Sequence, residues 1–229
     1  IFFFNSMQKI ILIFILLLCI SCSFLPDSIG KSNEIIVITS PEDKIHISPL
    51  LSNVFSHIIN TPQIEKEFIL QYRNPWELEK YKEYANIMII SLDYPEDSSG
   101  DLLTKKIIKK QNQVADIMTL GDLYAKNQLF CLIHVQDAVE LENILKENCE
   151  WILKEFINLF EKRMLQGIFK YGKNTDLSNK IFKILGHTIE LQRDFKLIRS
   201  DTLNSFIWLG RGYPYRWLTL HKSQKDSFI

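Results

Sequence analysis

Five histidines, His46, His57, His134, His187 and His221, are spread along the 229 residues. No two of them stand at the short helical or turn spacing that lets one metal ion take both, so neither a metal set nor a cofactor is expected. His134 alternates into an apolar strand and reads as a core or interface histidine. No serine sits in a G-x-S-x-G elbow, the strained turn that exposes a nucleophile. Glu140 with Glu142, and Glu155 with Glu161, are carboxylate pairs of the type that cleaves glycosides, but they fall in a charge-rich helical stretch and read as its wet face. The "GKS" of Gly30 to Ser32 would need another glycine five residues earlier to wrap a phosphate, and position 25 is Leu. No catalytic residue is assigned. An enzyme would have to bring His134 or His187 into one pocket with carboxylates through its fold alone.

The cysteines carry a different chemistry. "MQKIILIFILLLCISCSF", residues 7 to 24, opens on Lys9, runs apolar from Ile10 to Ile20 and closes on Ser21-Cys22. Eleven apolar residues are too few to cross a bilayer, which takes about 20, whereas a positive start and a short apolar stretch match an export signal. A small residue followed by cysteine resembles a bacterial lipobox, with Cys19 where Leu is usual, and makes Cys22 the lipidated residue. Cys131 and Cys149 then remain, both on apolar faces. A disulfide between them and two buried thiols are both open at this point. Residues 1 to 6, which hold no methionine, read as upstream translation, residues 7 to 21 as signal, and residues 22 to 33 as lipidated cysteine and tether.

Aromatic residues supply the third feature, in "FIWLGRGYPYRWLTLH", Phe206 to His221. Gly210, Gly212 and Pro214 mark a turn between two strands. Alternation puts Phe206 with Trp208 and Tyr215 with Trp217, with Tyr213 just before the second strand. If the two faces coincide, Trp208, Tyr213, Tyr215 and Trp217 form a platform flanked by Arg211 and Arg216, able to stack on a sugar or to seat a partner protein. The competing reading is that these rings are core. Strands this apolar imply that at least one of Trp208 and Trp217 is buried, and the turn position implies that Arg211 is wetter than Arg216.

Elements must position these groups. "EIIVITS", "EFILQYR", "NIMIISL" and "QLFCLIHV" read as strands, and the last places Leu129, Cys131, Ile133 and Val135 on one face, with Phe130, Leu132 and His134 on the other. Ser48-Pro49 reads as the start of a first helix and Asn74-Pro75 as the start of a second. "LLTKKIIKKQNQ" is amphipathic, its lysines forming a solvated face. A helix of about 34 residues follows Asp137, with Ile152, Phe156 and Leu159 on its apolar stripe. A shorter helix near "LSNKIFKIL" precedes a late run of strands, "HTIELQ", "FKLIR", "SFIWLG" and "YRWLTLH". Strands separated by helices and then clustered together indicate α+β: a mostly antiparallel sheet packed by the long helix and several shorter ones. Residues 34 to 229 read as a single domain. Charge is balanced at 27 basic and 27 acidic residues, so the chain has no overall field for nucleic acid.

Several blocks, in order, carry a resemblance: "GKSNEIIVIT", "DLYAKNQLFCLIHV", "NCEWILKEFINLFEKRM", "LGHTIELQRDFKLIRSDTLNSFIWLG" and "YRWLTLH". Over roughly Gly30 to His221 the chain resembles the domain of unknown function 4837 family of bacterial envelope lipoproteins. The resemblance implies a lipoprotein with an α+β fold and a further strand-rich portion beyond His221, so that the chain reads as truncated there. It transfers no catalytic residue. The resulting expectation is a lipid-anchored protein of the bacterial cell envelope, facing the periplasm and acting as a binding or assembly module. Its partners would be the membrane, through the lipid, and an envelope protein or glycan. The alternative is an envelope hydrolase acting on glycan, lipid or peptide.

Overall fold

The computed structural model describes residues 25–60, 64–94, 98–111 and 116–222. The signal segment and Cys22 lie outside the described residues. No helix among the described residues is long and apolar enough to cross a membrane. The chain divides into two compact units, Ile1–Phe160 and Glu161–Ile229, within the span read above as one domain.

The first unit is built on a five-stranded sheet. Its strands are β1 (Glu34–Ile38), β4 (Ile69–Arg73), β5 (Asn86–Leu92), β6 (Ile117–Gly121) and β7 (Leu129–Val135), in the order β4-β1-β5-β7-β6. β4, β1, β5 and β7 run parallel, and only β6, paired to β7, runs antiparallel. The chain is α+β, but its main sheet is largely parallel, where a mostly antiparallel one was expected. Helices explain the difference. α1 (Pro41–Val54) lies between β1 and β4, α2 (Leu78–Tyr81) between β4 and β5, and α3 (Ser98–Gln111) between β5 and the β6–β7 pair. A connection that crosses over through a helix brings the next strand back in the same direction. Where strands follow one another without a helix between them, as β6 and β7 do and as the strands of the second unit do, the pairing is antiparallel.

Both faces of the parallel sheet are covered. Ile35, Val37, Met88, Ile90, Cys131 and Ile133 face α1 and α4 (Ala138–Ile168), while Ile36, Ile38, Ile87, Ile89, Phe130 and Leu132 face α2 and α3. A strand buried on both sides loses the polar-apolar alternation of a half-exposed one and reads as an unbroken apolar run. All seven residues of β5 are accordingly buried. The alternation read for β7 holds, with Cys131 on one side and Phe130 and Leu132 on the other.

α1 begins one turn or more before its expected start. Ser40 is its N-cap, with Oγ accepting from the Asp43 amide at 3.0 Å, and Pro41 opens the first turn. Ser-Pro occurs twice, at 40–41 and 48–49, and Glu42 and Asp43 favour the first site by placing negative charge at the helix N-terminus. Pro49 is consequently inside the helix. Asn74 and Glu77 form a capping box at Pro75–Glu77, a 3-10 turn that leads into α2. A two-stranded piece, β2 (Ile58–Asn60) with β3 (Ile64–Lys66), was not anticipated, nor was β6.

The stretch read as a tether is attached from Pro26 onward. The Lys126 amide donates to the Pro26 carbonyl at 2.8 Å, the Ile29 amide to the Glu83 carbonyl at 3.0 Å, and the Ala85 amide back to the Ile29 carbonyl at 2.9 Å, just before β5. Gly30 has φ +84°, and a Cβ there would stand 2.7 Å from the Tyr84 ring, so glycine is needed both for conformation and for space. Gln128 fixes this same edge, donating to the carbonyls of Lys82 and Tyr84 and accepting from the Tyr124 amide.

The second unit pairs β8 (Lys196–Asp201), β9 (Phe206–Arg211) and β10 (Arg216–His221) in the order β10-β9-β8, all antiparallel. One face packs Ile207, Leu209, Leu218 and Leu220 on Leu177, Ile181 and Leu185 of α5 (Thr175–Leu185). "HTIELQ" forms no strand of this sheet, and Gln192 makes only an isolated bridge with Lys173.

Candidate functional site

Two places gather groups with chemical potential, one in each unit. In the second unit, the β9–β10 register sets Trp217 opposite Gly210 and Thr219 opposite Trp208. Trp208 and Trp217 therefore share a face, the one turned away from α5, and their rings meet edge to face at 6.1 Å. Gly210 makes room for the contact: a Cβ there would stand 2.6 Å from Ile198 Cδ1 and 3.1 Å from Trp217 Cδ1. Trp217 is 72% exposed, Tyr215 80% and Tyr213 92%, while Trp208 is half-buried. Neither tryptophan is buried, against the expectation that one would be.

Arg211 does not flank this platform. Alternation along β9 puts it with Ile207 and Leu209, on the face toward α5. Its side chain is only 15% exposed, pairs with Asp194 at 3.1 Å, donates to Gln192 and lies over the Phe195 ring. It lines a pocket of about 260 Å³ with Ile168, Tyr171 and Asp194. Arg216 is the wetter of the two, the reverse of the expected order, because chain position at a turn says less about exposure than the face on which the side chain leaves the strand.

In the first unit, polar groups collect beyond the C-terminal ends of the parallel strands. β1 has β4 on one side and β5 on the other, so the chain changes winding direction there. Sheets of this type leave a crevice at such a point and use it for ligands. Asp43 is fully buried here, and its Oδ2 accepts from the Leu92 amide at 3.0 Å. On the α3 side, Asp93 Oδ1 lies 3.6 Å from His134 Nε2. Asp101, in the first turn of α3, joins them, so that one ligand atom from each of Asp93, Asp101 and His134 lies within 4.8 Å of the others. These three residues are separated by 8 and 33 positions and form no local motif. Only a correct parallel pairing of β5 with β7, together with α3 over their ends, could have disclosed them.

Cys131 and Cys149 are free thiols. Cys131 is fully buried, and desolvation, with the Glu155 charge adding to it, pushes its pKa up to about 12. It stays protonated and cannot serve as a nucleophile at neutral pH. Cys149 is half-buried on α4 and lines an apolar groove of about 350 Å³ with Leu50, Val54, Leu145 and Leu153. Neither this groove nor the Arg211 pocket is lined by a histidine.

These features define an α+β chain whose first unit is a covered, largely parallel sheet. The chain belongs to the family described as Domain of unknown function (DUF8532), whose model matches residues 28–169. The match begins within the segment bonded to the sheet edge and ends one residue past α4. No curated protein matches the chain, and no solved structure matches it.

Proposed function

We propose that this protein is a lipid-anchored component of the bacterial cell envelope that serves as a binding or assembly module, held by lipid on Cys22 and meeting a protein or glycan partner through the aromatic face of its second unit. The observation that carries the binding half is the exposure of Trp217, Tyr215 and Tyr213 on one hairpin. Rings of this kind are enriched at contact surfaces, and clustered exposure of them marks an interaction site. Trp217 is held by the β9–β10 pairing and the two tyrosines by the tight turn it closes, so binding would order little further chain. The anchor half rests on the Ser21-Cys22 signal and on the resemblance to the domain of unknown function 4837 lipoproteins. Pro26 follows Cys22 by four residues, and a lipid at Cys22 would hold the N-terminal edge of the parallel sheet within roughly 14 Å of chain from the bilayer.

A hydrolase reading has less support. Ser91, His134 and Asp93 lie near one another in the order of a nucleophile, base and carboxylate, but Ser91 is fully buried, where no substrate carbonyl could reach it.

Two measurements test the proposal. Cys22→Ser should abolish incorporation of labelled lipid and leave unprocessed precursor in the membrane fraction; unchanged labelling sinks the anchor. Trp217→Ala in the anchored protein should reduce capture of envelope partners or glycan at least several-fold with the fold intact. Equal capture by wild type and variant would remove the aromatic face from the reading.

A further inference from the structure

The cluster of Asp93, Asp101 and His134 has a chemistry that the binding-module reading does not use. His134 is the next-to-last residue of β7 and stands opposite Ser91 of β5 in the parallel register. Ser91 follows Ile87 and Ile89 on the face covered by α3, and His134 follows Phe130 and Leu132 on that same face. Asp93 continues the alternation beyond β5, and Asp101 comes down from α3. Two carboxylates and one imidazole thus converge from three elements. Their nearest atoms lie within 4.8 Å of one another. Donors about 2.1 Å from one tetrahedral ion stand roughly 3.4 Å apart, so a shift on the order of an ångström closes the set. Asp93, about half exposed, has the freedom to make it.

A second observation points the same way. Ser91 is 0% exposed, and its Oγ finds no hydrogen-bond partner among the described residues; neither does the buried Nδ1 of His134. Polar atoms shut away without partners are uncommon. These two belong to register neighbours on one face, and the other ring nitrogen, Nε2, is the one turned toward Asp93. A histidine that binds a metal through Nε2 needs its Nδ1–H held by an acceptor, which fixes the tautomer and the ring plane. Ser91 Oγ, itself without a partner and carried by the register neighbour on the same face, is the acceptor such a binding mode would recruit.

One resident cation already uses the carboxylates. Lys105 Nζ pairs with Asp101 at 2.7 Å. Lys105 would therefore compete with any metal ion for Asp101.

We propose that Asp93, Asp101 and His134 bind a first-row divalent transition metal ion, with Ser91 as the residue that positions His134 and Lys105 as the competing cation. One imidazole among carboxylates favours ions of the zinc and manganese type over magnesium or calcium, which take oxygen ligands.

The test is calorimetric titration of the full chain with Zn²⁺ and Mn²⁺, with Mg²⁺ as control, after stripping with chelator. Binding of one transition ion per chain is expected, weakened about ten-fold or more by Asp93→Asn, and weakened about ten-fold by Ser91→Ala, as for loss of an outer-shell partner. Asp93 is exposed enough for its variant to fold. Lys105→Met should tighten binding several-fold, an effect that a merely structural ion pair would not give. Absence of transition-ion binding overturns the proposal. So does binding that neither Asp93→Asn nor Lys105→Met alters, which would place the ion on other histidines.

Discussion

Phe156→Ala should cost about 3–5 kcal/mol of stability in the first unit. Phe156 is fully buried on α4, and its ring meets Phe55 of α1's C-cap at 5.5 Å and Phe68 at 6.0 Å, both edge to face. Phe55 and Phe68 also meet each other at 5.8 Å. Truncation would therefore leave a void at the centre of a three-ring cluster, and it would remove two of the cluster's three mutual contacts. The walls come from a helix, a helix cap and a segment just before β4, each fixed by its own hydrogen bonds, so collapse into the void is limited and the cost falls toward the upper part of the range. A domain of ordinary stability has about 5–15 kcal/mol in total. Urea unfolding should show a lower midpoint with an unchanged slope. A midpoint that does not move would mean that the cluster repacks without loss.

That burial was legible in the sequence, because Ile152, Phe156 and Leu159 repeat at helical spacing along a stretch with no proline, and α4 runs 31 residues as a result. β5 and β7 were legible for a similar reason, being apolar and β-branched between turn residues. Three things were not. Strand direction is a property of the connections, and the late antiparallel strands drew the reading of the whole sheet toward their own pattern. β6 and the β2–β3 pair are short and depend on a neighbour for their hydrogen bonds, so local propensity carries little of their signal. The meeting of Asp93, Asp101 and His134 depends on register across 43 intervening bonds of chain between Ser91 and His134, and spacing rules that find metal motifs apply only within one element or turn. The aromatic hairpin lies between these cases. Its turn and its alternation were readable, but which of its faces is covered depends on α5, and so Arg211 was assigned to the wrong side.

Leu209→Ala and Trp217→Ala, made side by side, should have opposite consequences for the second unit. Leu209 is fully buried between Leu197 and Leu218 and faces α5. Its truncation should cost about 2–5 kcal/mol. The buried apolar set of this unit is small, comprising Leu177, Ile181, Leu185, Leu191, Ile207 and Leu209, and a small unit holds little stability in reserve. Loss of one member should therefore melt the β8–β10 sheet at temperatures where the wild type is folded. Trp217, on the opposite face and mostly in water, touches Trp208 and covers Gly210. Its removal should cost under about 1 kcal/mol, in the range of surface substitutions plus one exposed ring pair. Hydrogen exchange of the β9 amides reads both effects locally, without interference from the first unit. Fast exchange in Leu209→Ala with near-native protection in Trp217→Ala would establish that the fold does not need the indole, as an aromatic face kept for recognition requires. Comparable loss of protection in both would make the aromatic face a structural one and leave the binding-module reading without its site.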